Sequence, residues 1–156
     1  LPTSFLKRRH QMSKIETDPR TKYKYFLPIT TRWMDNDTYG HVNNVVYYEY
    51  FDTAVNKWLI ENNLLDYKDG EQIGYIVKSN CDYFSPISHP SDFYVGIRVS
   101  KIGNSSVVYE IGIFLEGDEL TSAQGSFTHV YVSRSTQKSC KLKDNFKTKL
   151  KTLFKS

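Results

Sequence analysis

A chain of 156 residues, 39% hydrophobic and 15% aromatic, is one domain by size and can bury roughly 68–70% of its unfolded surface. No apolar run approaches the ~18 residues that a bilayer-crossing helix needs. Cys81 and Cys140 lie far apart with no Cys-x-x-Cys spacing, which argues against a zinc knuckle and gives no sign of a secreted disulfide framework.

The net charge of +4 hides an asymmetry: residues 1–24 carry +5 and residues 138–156 carry +6, leaving −7 for the stretch between them. Basic ends of this kind are solvated segments or patches for anionic ligands. No nucleic-acid partner is expected, because no reader motif accompanies the lysines and the aromatics follow strand and helix periods.

Residues 1–24 include Lys7-Arg8-Arg9-His10, have no acid before Glu16 and show little periodicity, so they read as a flexible basic arm. The composition also suits a clipped organelle-targeting segment, or sequence ahead of a start at Met12. From Tyr25 to Trp33 the chain reads as extended, with Ile29, Thr31 and Trp33 on one face. Pro28 pushes this run toward a sheet edge or a strand start.

The strand leads into Asp35-Asn36-Asp37-Thr38-Tyr39-Gly40-His41, a polar turn rich in titratable groups. Asn43 and Asn44 follow as preferred N-cap residues of a helix expected over about 44–62. Its apolar positions cover most of the circumference, while Glu49, Asp52 and Asn56 form a narrow polar stripe, so the helix must be wrapped by something. Asn62-Asn63 supply a left-handed stop.

Four strand signals come next. Tyr75 to Tyr83 alternates and ends at Pro86 and Pro90; Phe93 to Ser100 turns at Gly103-Asn104 into Val107 to Leu115. A turn at Gly117-Asp118 opens a last strand over about 120–133, in which Gly125 marks a bulge or a close backbone approach. The order describes an α+β domain, an antiparallel sheet with one long helix on its inner face. Leu142, Phe146, Leu150 and Leu153 or Phe154 then recur at helical spacing among lysines, giving a basic C-terminal amphipathic helix. The domain boundaries so expected are 1–24, 25–135 and 136–156.

The run Arg32-Trp-x-Asp-x-Asp37-x-Tyr39-Gly40-His41-Val-Asn43-Asn44-x-x-Tyr47, with Tyr83-Phe-x-Pro86 further on, resembles the hotdog-fold thioesterases of the 4-hydroxybenzoyl-CoA thioesterase type over about residues 25–133. The resemblance implies a curved five-stranded sheet around the helix and hydrolysis of acyl-CoA thioesters. It also implies a homodimer or homotetramer with active sites at the subunit interface, and no cofactor or metal. The family's catalytic aspartate falls on Asp37, and the N–H that polarises the thioester carbonyl falls on Asn44 or its neighbour. In the similar plant acyl carrier protein thioesterases an Asp-x-Asn-x-His pattern is implicated in catalysis. Its ends align with Asp37 and His41, while Tyr39 stands where those enzymes have asparagine.

Tyr39, Gly40, Asn43 and Tyr47 are the substrate-binding residues the resemblance implies. Alternatives on the same scaffold are a non-catalytic acyl-thioester binding protein, an acyl carrier protein thioesterase and a dehydratase. The physical reading agrees, because thioester cleavage needs a carboxylate to attack or to activate water, and donors for the oxyanion. Asp37 and the helix start supply both. His41 either orients Asp37 or bonds to a carbonyl in the turn. Tyr47, Tyr50 and Phe51 suit a pocket or the core equally. The isolated His129 reads as a satisfied scaffold residue, and a cytoplasmic location is expected, or an organellar matrix if the basic N-terminus is a targeting remnant.

Overall fold

Alternating apolar residues place five runs of the chain in strands: β1 (Tyr25–Thr30), β2 (Gln72–Tyr83), β3 (Asp92–Ile102), β4 (Ser106–Leu115) and β5 (Ala123–Ser133). In the computed structural model, which describes residues 16–155, they form one antiparallel sheet of order β1-β3-β4-β5-β2. Between β1 and β2 runs α1 (Val46–Glu61). Its Tyr47, Tyr50, Phe51, Ala54, Val55, Trp58 and Leu59 are buried with the inward residues of β3, β4 and β5. At about 1.5–3 kcal/mol for each large side chain, this packing is a major part of the hydrophobic stabilisation. The left-handed stop is present, with Asn63 at φ 58°.

Pro28 sits on β1, an edge strand of the sheet, as expected of a residue without an N–H. Two other expectations need correction. Trp33 does not continue the strand: β1 ends at Thr30, and Trp33 lies in a 3-10 turn with its ring 78% exposed. The chain is turned there because the Asp35 carboxylate accepts the Arg32 backbone N–H. Nor are the four later strands all joined by short turns. Residues 84–91 cross from the β2 edge to β3, which lies beside β1 at the other end of the sheet.

The basic arm also ends earlier than expected. Residues 1–15 lie outside the described residues, but 16–24 pack on the outer face of the sheet. Pro19 bridges to Leu120, Tyr23 is buried, and Asp18 pairs with the buried Arg98 at 2.8 Å. The cause is a trough on that face. A Cβ at Gly96 or Gly112 would stand 3.0 or 2.7 Å from Tyr23, so the two glycines make room for its ring. The Arg98 guanidinium lies over the same ring, 4.5 Å from its centroid.

The C-terminal helix is α2 (Asp144–Lys151). Leu142, Phe146, Leu150 and Leu153 are all buried, with Phe146 edge-on to Tyr131 at 4.9 Å, whereas Phe154 stays partly exposed. Past α2, the Leu153 carbonyl accepts from Val99 and the Lys155 N–H donates to Val99, both at 2.7 Å, beside an irregularity in β3.

Gly125 proves to be a close backbone approach; the register of β5 with β2 runs through it unbroken, and the irregularity of β2 falls at Ile76/Lys78 instead. A Cβ there would lie 2.0 Å from the Asn80 carbonyl oxygen and 2.9 Å from Phe51. Gly125→Ala is therefore expected to push β2 off β5 and destabilise the fold by at least ~1–3 kcal/mol, the usual cost of overpacking. Denaturant titration checks this, and a loss below 0.5 kcal/mol (roughly the noise of a neutral surface change) contradicts it.

Candidate active site

The polar turn is built outward from Asp35. Its side chain is 1% exposed, and its carboxylate accepts the Tyr50 hydroxyl at 2.6 Å, the Arg32 N–H at 2.8 Å and the Arg32 guanidinium at 3.1 Å. Burial works to raise its pKa; the bonds from Tyr50 and Arg32 outweigh it, and the carboxyl is held below its ordinary value. The Asp35 carbonyl in turn accepts the Asn43 N–H at 2.9 Å, tying strand exit to helix entry.

Between those anchors the chain makes a tight loop. Asn36 bridges Val42, the Asp37 N–H donates to the His41 carbonyl at 2.8 Å, and Gly40 adopts φ 80°, a conformation that favours glycine. The Tyr39 N–H donates to Asp37 Oδ1 at 2.8 Å and so fixes the carboxylate. The crossover clamps the loop from outside: Val42 donates to the Ile87 carbonyl at 2.7 Å, and the His89 N–H donates to Asn36 at 3.0 Å. Neither Asn43 nor Asn44 is the N-cap expected from the sequence: the cap position is Val45, without a side-chain cap bond, and Asn43 instead makes a turn ahead of the helix, its side chain accepting the Val45 N–H and its carbonyl the Val46 N–H.

These constraints leave a cleft of about 410 Å³ lined by Asp37, His41, Val42, Asn44 and Tyr47 on one side and Tyr83, Phe84, Ser85 and Pro86 on the other. The Tyr83 hydroxyl donates to the Asn44 carbonyl at 2.9 Å, and its ring stands edge-on to Tyr47 at 4.9 Å. Burial raises the phenol pKa of both tyrosines. Neighbouring Cys81 is also pushed up by burial, to about 11, so it remains a thiol and is no nucleophile at neutral pH. Asp37 supplies the one carboxylate that the described residues bring to the cleft wall. The Asn44 N–H has no acceptor among the described residues, at the positive end of the α1 dipole.

Of the residues expected at the site, Asp37, His41, Asn44 and Tyr47 converge on this cleft. Tyr39, Gly40 and Asn43 do not line it. Tyr39 is 85% exposed, and all three serve the cleft through backbone or turn contacts. The His41 ring bonds neither to Asp37 nor to a carbonyl among the described residues. Tyr50 and Phe51 are core residues. Tyr83 and Pro86 bring the second wall, and their signal in the sequence was the short Tyr83-Phe-x-Pro86 run; Ser85 had none. A larger cavity of about 460 Å³ lies beside Arg32, Asp35, Glu49 and Tyr50, but Arg32 binds the Asp35 and Glu49 carboxylates there, at 3.1 and 3.2 Å. Its carboxylates are already engaged.

Residues 31–150 match the sequence model of the thioesterase-like superfamily. The PA5185 protein of Pseudomonas aeruginosa strain PAO1 has a solved structure that is 48% identical, with TM-score 0.88, over 90% of this chain and 99% of that one. A 1,4-dihydroxy-2-naphthoyl-CoA thioesterase from Synechocystis shares the fold at 16% identity, with TM-score 0.74, over 81% of this chain and 94% of its own. The uncharacterized protein YsmA of Bacillus subtilis (strain 168) is 24% identical over 132 residues, 84% of this chain and 88% of that protein.

An acid with its folded pKa below the unfolded value stabilises the fold above that unfolded value, near 3.9, and the contribution is lost as pH falls through the folded pKa. Asp35 is such an acid. Tyr50→Phe is expected to cost roughly 1.5–3 kcal/mol, the range for a hydrogen bond to a charged group, and to move acid unfolding to higher pH. Denaturant titrations at neutral pH and near pH 3 check this; equal stability of the two proteins at both would contradict it.

Proposed function

The chain belongs to the thioesterase-like superfamily, and from that membership we propose that it hydrolyses acyl-CoA thioesters to the free acid and CoA at the Asp37 cleft. The observation that carries the reading is the pairing, in one cleft, of the Asp37 carboxylate with the unused Asn44 N–H at the start of α1. The thioester carbonyl oxygen accepts the Asn44 N–H, which stabilises the negative charge that develops on it. Asp37 either takes a proton from the water that attacks the carbonyl carbon, that proton passing on to the CoA thiolate as the C–S bond breaks, or attacks the carbon itself and expels the CoA thiolate, after which water hydrolyses the mixed anhydride to the free acid and its proton makes up the thiol. Tyr39 keeps the carboxylate aimed, and Tyr83 fixes the Asn44 peptide through its carbonyl. His41 stands in the same cleft wall as Asp37.

The edges of the sheet support assembly as a homodimer or a homotetramer. On β2, an edge strand, Tyr75, Ile76, Val77 and Tyr83 are 44–61% exposed. An edge strand of twelve residues that exposes these four apolar side chains is a surface that proteins tend to cover, and Tyr83 at its end is also in the cleft. A second copy on this edge would therefore wall the site.

Asp37→Asn keeps size and turn-forming capacity, so turnover is expected to fall at least ~10²-fold with little change in melting temperature. Free-thiol release from a panel of acyl-CoA and aryl-CoA thioesters checks it, and activity within threefold of the parent would sink the assignment. Light scattering is expected to give a dimer or larger; an active monomer of 18.2 kDa across micromolar concentrations contradicts that. Among the described residues no lysine or arginine lines the cleft, so the CoA phosphates are expected to meet cations outside this lining. KM for acyl-CoA is expected to rise with ionic strength, and a KM that stays flat from low to high salt rules this out.

A further inference from the structure

Residues 138–156 hold seven lysines and a single acid, Asp144. The stretch folds around its apolar residues: Leu142, Phe146, Leu150 and Leu153 are buried in the core, so α2 is fixed in place and its cations are left outside. At about 100° per residue, Lys147 and Lys151 flank the buried stripe on one side and Lys149 on the other, while Asn145, Thr148 and Thr152 are exposed along the crest between them. Lys138, Lys141 and Lys143 lead into the helix, all three exposed. Among the described residues, the one ion pair made by any of the seven joins Lys155 to Glu110 at 3.7 Å.

Nothing in the fold calls for these charges. Lys143 stands at the N-cap, the positive end of the helix dipole, where a cation is unfavourable. Lys147 and Lys151 are a like-charge pair at i,i+4, which weakens a helix. The Asp37 cleft makes no use of them either. Phe146 packs on Tyr131, whose partner in the sheet is Gly74, and Gly74 lies about 30 Å along β2 from Tyr83, at about 3.4 Å per residue. The helix thus concentrates positive charge at the expense of its own stability, and an external polyanion would neutralise it.

The makeup of the patch selects among polyanions. All seven cations are lysine, with no arginine in 138–156. Lysine is a flexible point charge without the bidentate fork that recognises fixed carboxylates and phosphates. It is depleted where proteins meet proteins, whereas arginine is enriched there. A single-stranded nucleic acid calls for aromatic side chains on which bases stack, and Phe146 is turned inward. A fluid anionic bilayer has no such requirements, because each lysine finds a headgroup without fixed geometry, and lysine clusters of this size on an amphipathic helix suit it. The rest of the chain orients the contact, since the stretch 25–137 carries −7 and is repelled by the same surface.

We propose that α2 and the lysines flanking it are a docking face for a membrane rich in anionic phospholipid. The apolar stripe of the helix is used inside the protein, so the contact is electrostatic and reversible, without insertion of the helix. The Asp37 cleft, at the other end of the sheet, stays free. Docking goes beyond the catalytic reading and requires no thioester.

Flotation of the full chain with vesicles of equimolar phosphatidylcholine and phosphatidylglycerol is expected to show binding at low ionic strength that salt abolishes, and none with phosphatidylcholine alone. Each lysine at the surface contributes about fivefold in affinity, so the triple variant Lys143→Gln, Lys147→Gln and Lys151→Gln should bind ~10²-fold more weakly. Its melting temperature should equal the parent's or exceed it, because like charges have been removed. Lys138→Gln with Lys141→Gln, at exposed positions ahead of the helix, should weaken binding about 25-fold and decides the matter if the triple variant is not folded. Lys7→Gln with Arg8→Gln and Arg9→Gln, at the other basic end, should lose less than the α2 variant, and Asp37→Asn should bind as the parent does. The proposal is overturned if the parent fails to bind the anionic vesicles at low ionic strength, if it binds both kinds of vesicle equally, or if the folded lysine variants bind as the parent does. A greater loss in the variant at positions 7–9 overturns it as well, and so does tighter binding to a DNA duplex than to the anionic vesicles at equal phosphate concentration.

Discussion

The buried Asp35 carboxylate holds the rest of the site in place. A charge taken out of water survives only if its oxygens are bonded, and here Tyr50 from α1 and Arg32 from the strand exit supply the bonds. Those partners come from elements that would otherwise be joined only by a polar loop. With the Asp35 carbonyl also holding Asn43, the start of α1 is fixed relative to β1, and the seven residues between Asp35 and Asn43 have one compact path. Asp37 is two positions on, half-buried, and lines open space. Two carboxylates of the same turn thus have opposite duties, set by surroundings: one is saturated by protein donors, the other faces the cleft.

The sheet order extends this constraint. A direct hairpin from β2 to β3 would leave the turn with no outer wall. The crossover instead carries residues 84–91 past the turn, where Ile87 and His89 clamp it and Ser85 and Pro86 face Asp37 across the cleft. The same crossover leaves β2 as an edge strand with Tyr75, Ile76, Val77 and Tyr83 exposed and one end in the cleft. In this fold the proposed catalytic cleft and the surface available to another subunit are consequences of one connection.

Much of this was legible in the sequence because it rests on local rules. Period-two runs gave the strands, the apolar circumference of α1 demanded a wrapping sheet, and Asp37, His41, Asn44 and Tyr47 stood at the right spacing around a helix start. What was not legible depends on contacts distant in sequence. Tyr50 read as core or pocket, and nothing local says that its hydroxyl meets Asp35, fifteen residues earlier. Tyr39 and Gly40 looked like substrate contacts because they sit inside the motif, yet one side chain faces solvent and the other residue shapes the loop. Residues 16–24 read as a loose arm because the trough that receives Tyr23 is made by two glycines on β3 and β4. His129 looked like a satisfied scaffold residue, and only the packed structure reveals its unpaired nitrogen.

The central claim is that a thioester carbonyl sits between the Asp37 carboxylate and the Asn44 N–H. A crystal structure of the protein with a ketone analogue of an acyl-CoA, in which a methylene replaces the thioester sulfur, tests it directly. The account predicts the carbonyl oxygen about 2.7–3.1 Å from the Asn44 nitrogen and an Asp37 oxygen, or a water bonded to it, about 3–3.5 Å from the carbonyl carbon. A carbonyl seated instead in the Arg32–Glu49 cavity, or turned away from Asp37 with the analogue fully bound, would contradict it.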